Sequence, residues 1–105
     1  MSTLSKTLRN FGFSSISEVI TAEMQLNLKT RLNNGYKKKA IILKLDESHY
    51  NISYHFTSCM VESEKELLAK LQKLFGNLAD MEAIVTDTVV LLMQLPDTKP
   101  ISSLS

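Results

Sequence analysis

The side chains able to carry chemistry are few, and they cluster. His49, His55 and Cys59 are the chain's two histidines and its one cysteine, with Asp46 and Glu47 just before them. His49 and His55 are read on one strand, where six residues span roughly 20 Å, too far for both to ligate one metal. Cys59 follows His55 at roughly 13 Å along an extended chain, so a Cys–His nucleophile pair would need a sharp bulge and a third, orienting group. Asp46 and Glu47 fall in an expected turn, and a carboxylate pair working as acid and base needs an enclosing pocket. Gly12, Gly35 and Gly76 are too scattered for a phosphate loop, and no HExxH, GxSxG or CxxC pattern occurs. The residues therefore point to a non-enzymatic protein that needs no metal and no cofactor.

The elements that position these side chains follow from periodicity. Leu4, Leu8 and Phe11 recur at i, i+4 and i+7, with Lys6 and Arg9 between them, and Gly12 offers a stop. This predicts a short amphipathic helix over 3–11, which docks on its own domain or on a second copy rather than on a membrane surface. Ser15-Ile16-Ser17-Glu18 has the form of a capping box, so Ile16, Val19 and Ile20 are expected on a second helix. Residues 24–32 alternate apolar and polar, which predicts a strand. Asn34-Gly35 then reads as a two-residue hairpin loop. That register sets Leu28 opposite Ile41, Leu26 opposite Leu43 and Met24 opposite Leu45. Residues 49–56 alternate in the same way, and with Asp46 facing His49 three rows result: Met24/Leu45/Tyr50, Leu26/Leu43/Ile52 and Leu28/Ile41/Tyr54.

Ser63-Glu64-Lys65-Glu66 is a second capping box. It opens a helix whose apolar face is Leu67, Leu68, Leu71, Leu74, Phe75 and Leu78, with Gly76-Asn77 as its stop. Residues 81–95 read as strand, either continuous or bent near Asp87. Val89–Met93 is apolar on both faces, so it must be covered on both sides by the chain or by a partner. The expected fold is α+β: an N-terminal helical segment, a three-stranded antiparallel meander, a packing helix and a C-terminal strand region (α-β-β-β-α-β). The order helix, meander, helix is similar to that of double-stranded-RNA-binding domains. Those open the last helix with a lysine cluster, where this chain has Glu62-Ser63-Glu64-Lys65-Glu66. The order is also similar to that of type III secretion chaperones, on topology alone.

Composition bounds the rest. With 105 residues, 44% hydrophobic and 22% charged, residues 1–95 suit one domain, and 96–105 read as a flexible polar tail. No apolar run approaches the roughly 20 residues of a membrane span. One cysteine without an export signal points to a cytoplasmic protein. The net charge is only +1, yet Lys29, Arg31, Lys37, Lys38, Lys39 and Lys44 crowd one segment that has no acid. In the expected register several of them share the sheet face opposite the core. The expected function is protein binding, as an adaptor, assembly factor, chaperone or inhibitor. The basic face would choose a partner with an acidic patch, and Val90, Leu92, Leu4, Leu8 and Phe11 would bury apolar surface in a homodimer or stable complex. The second reading is a nucleic acid held by its phosphates through the same six bases.

Overall fold

A computed structural model describes residues 3–96. Its elements in chain order are α1 (Thr3–Phe11), β1 (Ser15–Glu18), α2 (Met24–Asn33), β2 (Lys37–Lys44), β3 (Tyr50–Tyr54), β4 (Thr57–Val61), α3 (Glu64–Phe75), β5 (Met81–Val85) and β6 (Val89–Gln94), with short 3-10 turns at Thr21–Glu23 and Leu78–Asp80. The fold is α+β, and the described strands form one six-stranded mixed sheet in the order β1-β5-β6-β2-β3-β4. Only the β1–β5 pair is parallel. All of the expected tail 96–105 except Pro96 lies outside the described residues.

Helices cover the sheet unequally. On one face α1 and α3 bury Leu4, Leu8, Leu67 and Leu71 against Ala40, Ile42, Tyr50, Ile52, Ala83, Val90 and Leu92. On the other, α2 sets Met24 and Leu28 against Ile84, Leu91 and Met93. The doubly apolar run at Val89–Met93 is thus explained inside the chain, as a central strand covered from both sides. Residues 81–95 form two strands rather than one. Their turn closes on Thr86 Oγ1, which accepts from the N–H groups of Thr88 and Val89 at 3.3 and 3.0 Å.

Two local expectations are overturned. Ser15–Glu18 is strand β1, because pairing with β5 outweighs the capping box; Ser15↔Glu82 and Glu18↔Val85 fix its register. Residues 24–33 are helix, not strand. Their straight-chain Met, Gln, Leu, Lys and Arg residues are good helix formers. The side chains that meet the sheet are Met24, Leu28 and Arg31, at i, i+4 and i+7. Asn34-Gly35 terminates this helix. Gly35 sits at φ +91°, its N–H donates to the Leu32 carbonyl and the Tyr36 N–H to the Arg31 carbonyl, a Schellman arrangement.

The expected rows fail with the lost hairpin. The β2–β3 loop spans three residues, Asp46–Ser48, with the Leu45 N–H donating to the His49 carbonyl at 2.9 Å. Asp46 Oδ1 closes it by accepting from the N–H groups of Ser48 and His49, each at 2.8 Å. An odd loop reverses the parity, so Ile42 faces Ile52 and Lys44 faces Tyr50. Leu43 and Leu45 consequently turn away from the main core. The expected third strand, 49–56, ends at Tyr54, and His55-Phe56 turns the chain into β4, with His55 at φ +52°. The serine half of the second capping box forms as expected, and the glutamate's return bond goes one residue further back, to Glu62. Ser63 Oγ accepts from the Glu66 N–H at 3.0 Å, and Glu66 Oε1 accepts from the Glu62 N–H at 2.7 Å.

Candidate docking surface

The placement of α2 decides what the second face of the sheet leaves open. Its anchor is polar. Arg31 Nε donates to Glu82 Oε1 at 2.8 Å and Nη2 to Oε2 at 3.1 Å, a two-pronged ion pair in which the Glu82 side chain is only 7% exposed and Arg31 16%. Ser17 Oγ donates to Glu82 Oε2 at 3.0 Å and accepts from Arg31 Nη2 at 3.1 Å, and Arg31 Nη1 donates to Asn27 Oδ1 at 3.1 Å. Burial alone would push the Glu82 carboxyl up. The hydrogen bonds from Arg31 and Ser17, with the charge of Arg31, outweigh burial and hold it below the usual range. Arg31 is raised in turn, chiefly by its bond to Glu82. Sequence reasoning missed this pair. The signal was present as a lone glutamate inside the apolar run Met81–Val85, which demands a buried cation.

The pair removes Arg31 from the basic face. The other five cations do not form one patch either. Lys29 rides on α2. Lys37, Lys38 and Lys39 start β2, with a register shift between Lys38 and Ala40. Lys44 ends β2, roughly 16–23 Å from those three at strand rise. The five residues expected at an interface lie in one chain's own core: Leu4 and Leu8 on α1, Val90 and Leu92 on β6, all buried, with Phe11 half-buried at the margin. His49 and His55 flank β3 at opposite ends, and Cys59 lies on β4, half-buried and packed on the main core. Among the described residues no three His, Cys, Asp or Glu side chains are grouped to hold a metal.

Beyond α2 no described element covers the second face of β3 and β4 or the Leu43 end of β2, while Ile41 of β2 packs against the α2 cluster. One row across this face is Leu43, Asn51 and Met60; the next is Ile41, Ser53 and Ser58. Leu43 is 41% exposed and Met60 60%, with Leu45 at 52% just past the end of β2. Between these apolar rims the floor is made of small polar side chains, with Asn51 Nδ2 donating to Ser53 Oγ at 3.3 Å. Three strands span about 14 Å at 4.8 Å spacing, the width one more helix of 10–12 Å would fill. Among the described residues the first face carries two helices over the same six strands and the second carries one.

The trough is electrically polar along its length. At one end a cleft between β2 and β3 joins Lys38 and Lys39 to Ala40, Ile41, Ser53, Tyr54 and His55, with Phe56 fully exposed beside it; Lys39 also borders Leu74 and Phe75 of α3, so it stands at the end of the sheet between its two faces. At the other end stand Asp46, Glu47 and Glu62. There His49 Nδ1 lies 2.9 Å from Asp46 Oδ1, and that hydrogen bond, with the charge of Asp46 and a contribution from Glu62, raises the imidazole above its ordinary value. Backbone N–H groups of Ser48 and His49, together with the imidazole, hold the Asp46 carboxyl well below the usual carboxylate range. No helix among the described residues is long and apolar enough to cross a membrane. Comparison with protein-family models, with curated proteins and with solved structures gives no match for this chain.

Proposed function

We propose that the protein is a non-enzymatic, intracellular protein-binding module, and that its open trough receives one amphipathic helix of a partner. The observation that carries this is the half-covered second face, where Leu43, Leu45 and Met60 border a helix-wide strip beside α2. Apolar contact supplies the affinity, as when helices lie in grooves. The charged ends supply direction. A helix lying along the strands is favoured with its negative C-terminus and acidic side chains at Lys38 and Lys39, and its positive N-terminus at Asp46, Glu47 and Glu62. The acidic partner expected from the sequence is kept, confined to one end of the trough.

The phosphate-binding alternative is less well supported, because Arg31 is engaged by Glu82 and Lys44 is distant from Lys37–Lys39. The two readings separate in a pull-down from nuclease-treated lysate, comparing the native chain with Leu43→Asp and with Lys37, Lys38 and Lys39 all replaced by Ala. The proposal expects a discrete polypeptide that survives nuclease, is lost with Leu43→Asp and is weakened several-fold by the lysine replacements. Retention that disappears with nuclease and falls steeply with salt would establish the phosphate reading instead.

A further inference from the structure

The two edges of the sheet are unequal. β1 is four residues long and carries Glu18, features that discourage edge pairing. β4, Thr57-Ser58-Cys59-Met60-Val61, is the opposite edge and has no proline, no charge and no bulge in its register with β3. Along an edge strand, alternate residues turn their N–H and C=O groups outward, and among the described residues no other element pairs with this side of β4.

The helix beside that edge is matched to itself. A groove between β4 and α3 is lined by Cys59, Met60 and Val61 on the strand and by Glu66, Ala69, Lys70 and Lys73 on the helix. The helical four recur at i, i+3, i+4 and i+7, so they make one stripe, with a small, exposed Ala69 near its middle. The chain reverses at Glu62-Ser63, and α3 returns along β4. At rises of about 3.3 Å per strand residue and 1.5 Å per helix residue, the level of Cys59 falls close to Ala69 and Lys70.

We propose that β4 pairs antiparallel with β4 of a second copy about a two-fold axis at Cys59, continuing the sheet from one chain into the next. In that register Thr57 faces the partner's Val61, Ser58 the partner's Met60, and Cys59 the partner's Cys59. The same axis lays the two α3 helices side by side and antiparallel. Glu66 of each then meets Lys73 of the other, and the two Ala69 residues allow the close approach. A second copy suits this edge because both strand and helix stripe are self-complementary under one operation, which an isologous contact requires. The contact is small, so association is of the weak, concentration-dependent kind. It shares β4 and Met60 with the rim of the trough, but neither Leu43 nor the lysines of β2 take part, so substitutions at those residues separate the two surfaces.

The test uses the full chain by sedimentation over about 5–500 μM, a range that brackets weak dimers. The expected mass rises from the 11.8 kDa of one chain toward twice that value. Ala69→Lys sets a new ammonium against the partner's Lys70 beside the axis and is expected to weaken the dimer at least about tenfold with an unchanged circular dichroism spectrum. Mild oxidation is expected to link wild-type chains through Cys59, because opposed strand residues lie at disulfide-compatible Cα separations. Cys59→Ser is expected to stop the link and leave the sedimenting dimer. The proposal is overturned by a single chain mass at every concentration, or by a dimer that Ala69→Lys leaves intact. Loss of lysate partners with Leu43→Asp while the dimer persists would keep the two surfaces distinct.

Discussion

The residue that most constrains this molecule is a buried glutamate. Glu82 sits in a five-residue strand in which every position is buried, and it is tolerated because Arg31 reaches it with two donors while Ser17 adds a third. Removing one partner leaves an uncompensated charge, whereas replacing both by apolar groups is often neutral or better. Arg31→Met is therefore expected to cost about 3 kcal/mol, a Tm loss of about 15 °C for a chain of this size. The double variant Arg31→Met with Glu82→Leu should recover most of that loss. Thermal melts of the three chains check the cycle. The pH dependence has a definite sign. Glu82 has a folded pKa depressed below 4.5, so the stability it supplies is present above that value and disappears as pH falls through the lower, folded pKa. Acid titration of stability is expected to flatten in the double variant. His49 has the opposite sign. Its pKa is raised above 6.5, so any stability it adds is present below 6.5 and lost as pH rises through the folded value. Asp46→Asn should bring its imidazole titration back down toward 6.5, read from its ring proton shifts.

At the scale of elements, the Asn34-Gly35 pair shows how a strong local signal can be right about a turn and mistaken about its kind. Both a type I′ hairpin and a Schellman stop need glycine at positive φ. Gly35→Ala is expected to cost about 1–2 kcal/mol, since a Cβ there would sit 3.2 Å from Pro96 Cβ as well as at φ +91°; chemical denaturation measures it. The elements legible from the sequence were those whose pattern agreed with their tertiary role. The capping box at Ser63–Glu66, the apolar face of α3, the strands of residues 37–44 and 50–54, and the pair at 81–85 and 89–94 are of this sort. The β2–β3 register was not legible. Ala40-Ile41-Ile42-Leu43 carries apolar residues on both faces, so either parity looks acceptable, and the choice rests on Asp46 closing an odd loop. β1 escaped notice because its partner β5 is nearly seventy residues away, and a parallel pairing at that distance leaves no local trace. For the candidate site, the basic cluster was visible in the sequence. Its division was not, because that depends on α2 being a helix that carries Arg31 to Glu82.

For the whole molecule, unequal coverage of the two sheet faces is the feature from which function is argued. Among the described residues three α-helices serve six strands, and the strip over β2, β3 and β4 keeps Leu43 and Met60 in solvent. Such residues contribute little to the isolated chain, so Leu43→Asp is expected to change its stability by no more than about 0.5 kcal/mol, as measured by denaturation, while abolishing partner capture. That combination separates a docking residue from a core residue, since the same change at Ile42, in the other face's core, would unfold the chain. The most direct measurement places a photo-reactive amino acid at position 43, with position 65 on the exposed side of α3 as control, and maps adducts by mass spectrometry after nuclease treatment. A protein adduct is expected at 43 and none at 65, with the linked partner residues on one apolar face of an amphipathic helix, acidic toward the end that meets Lys38 and Lys39. Equal adducts at both positions, nucleotide adducts alone, or none at 43 would contradict helix docking in the trough.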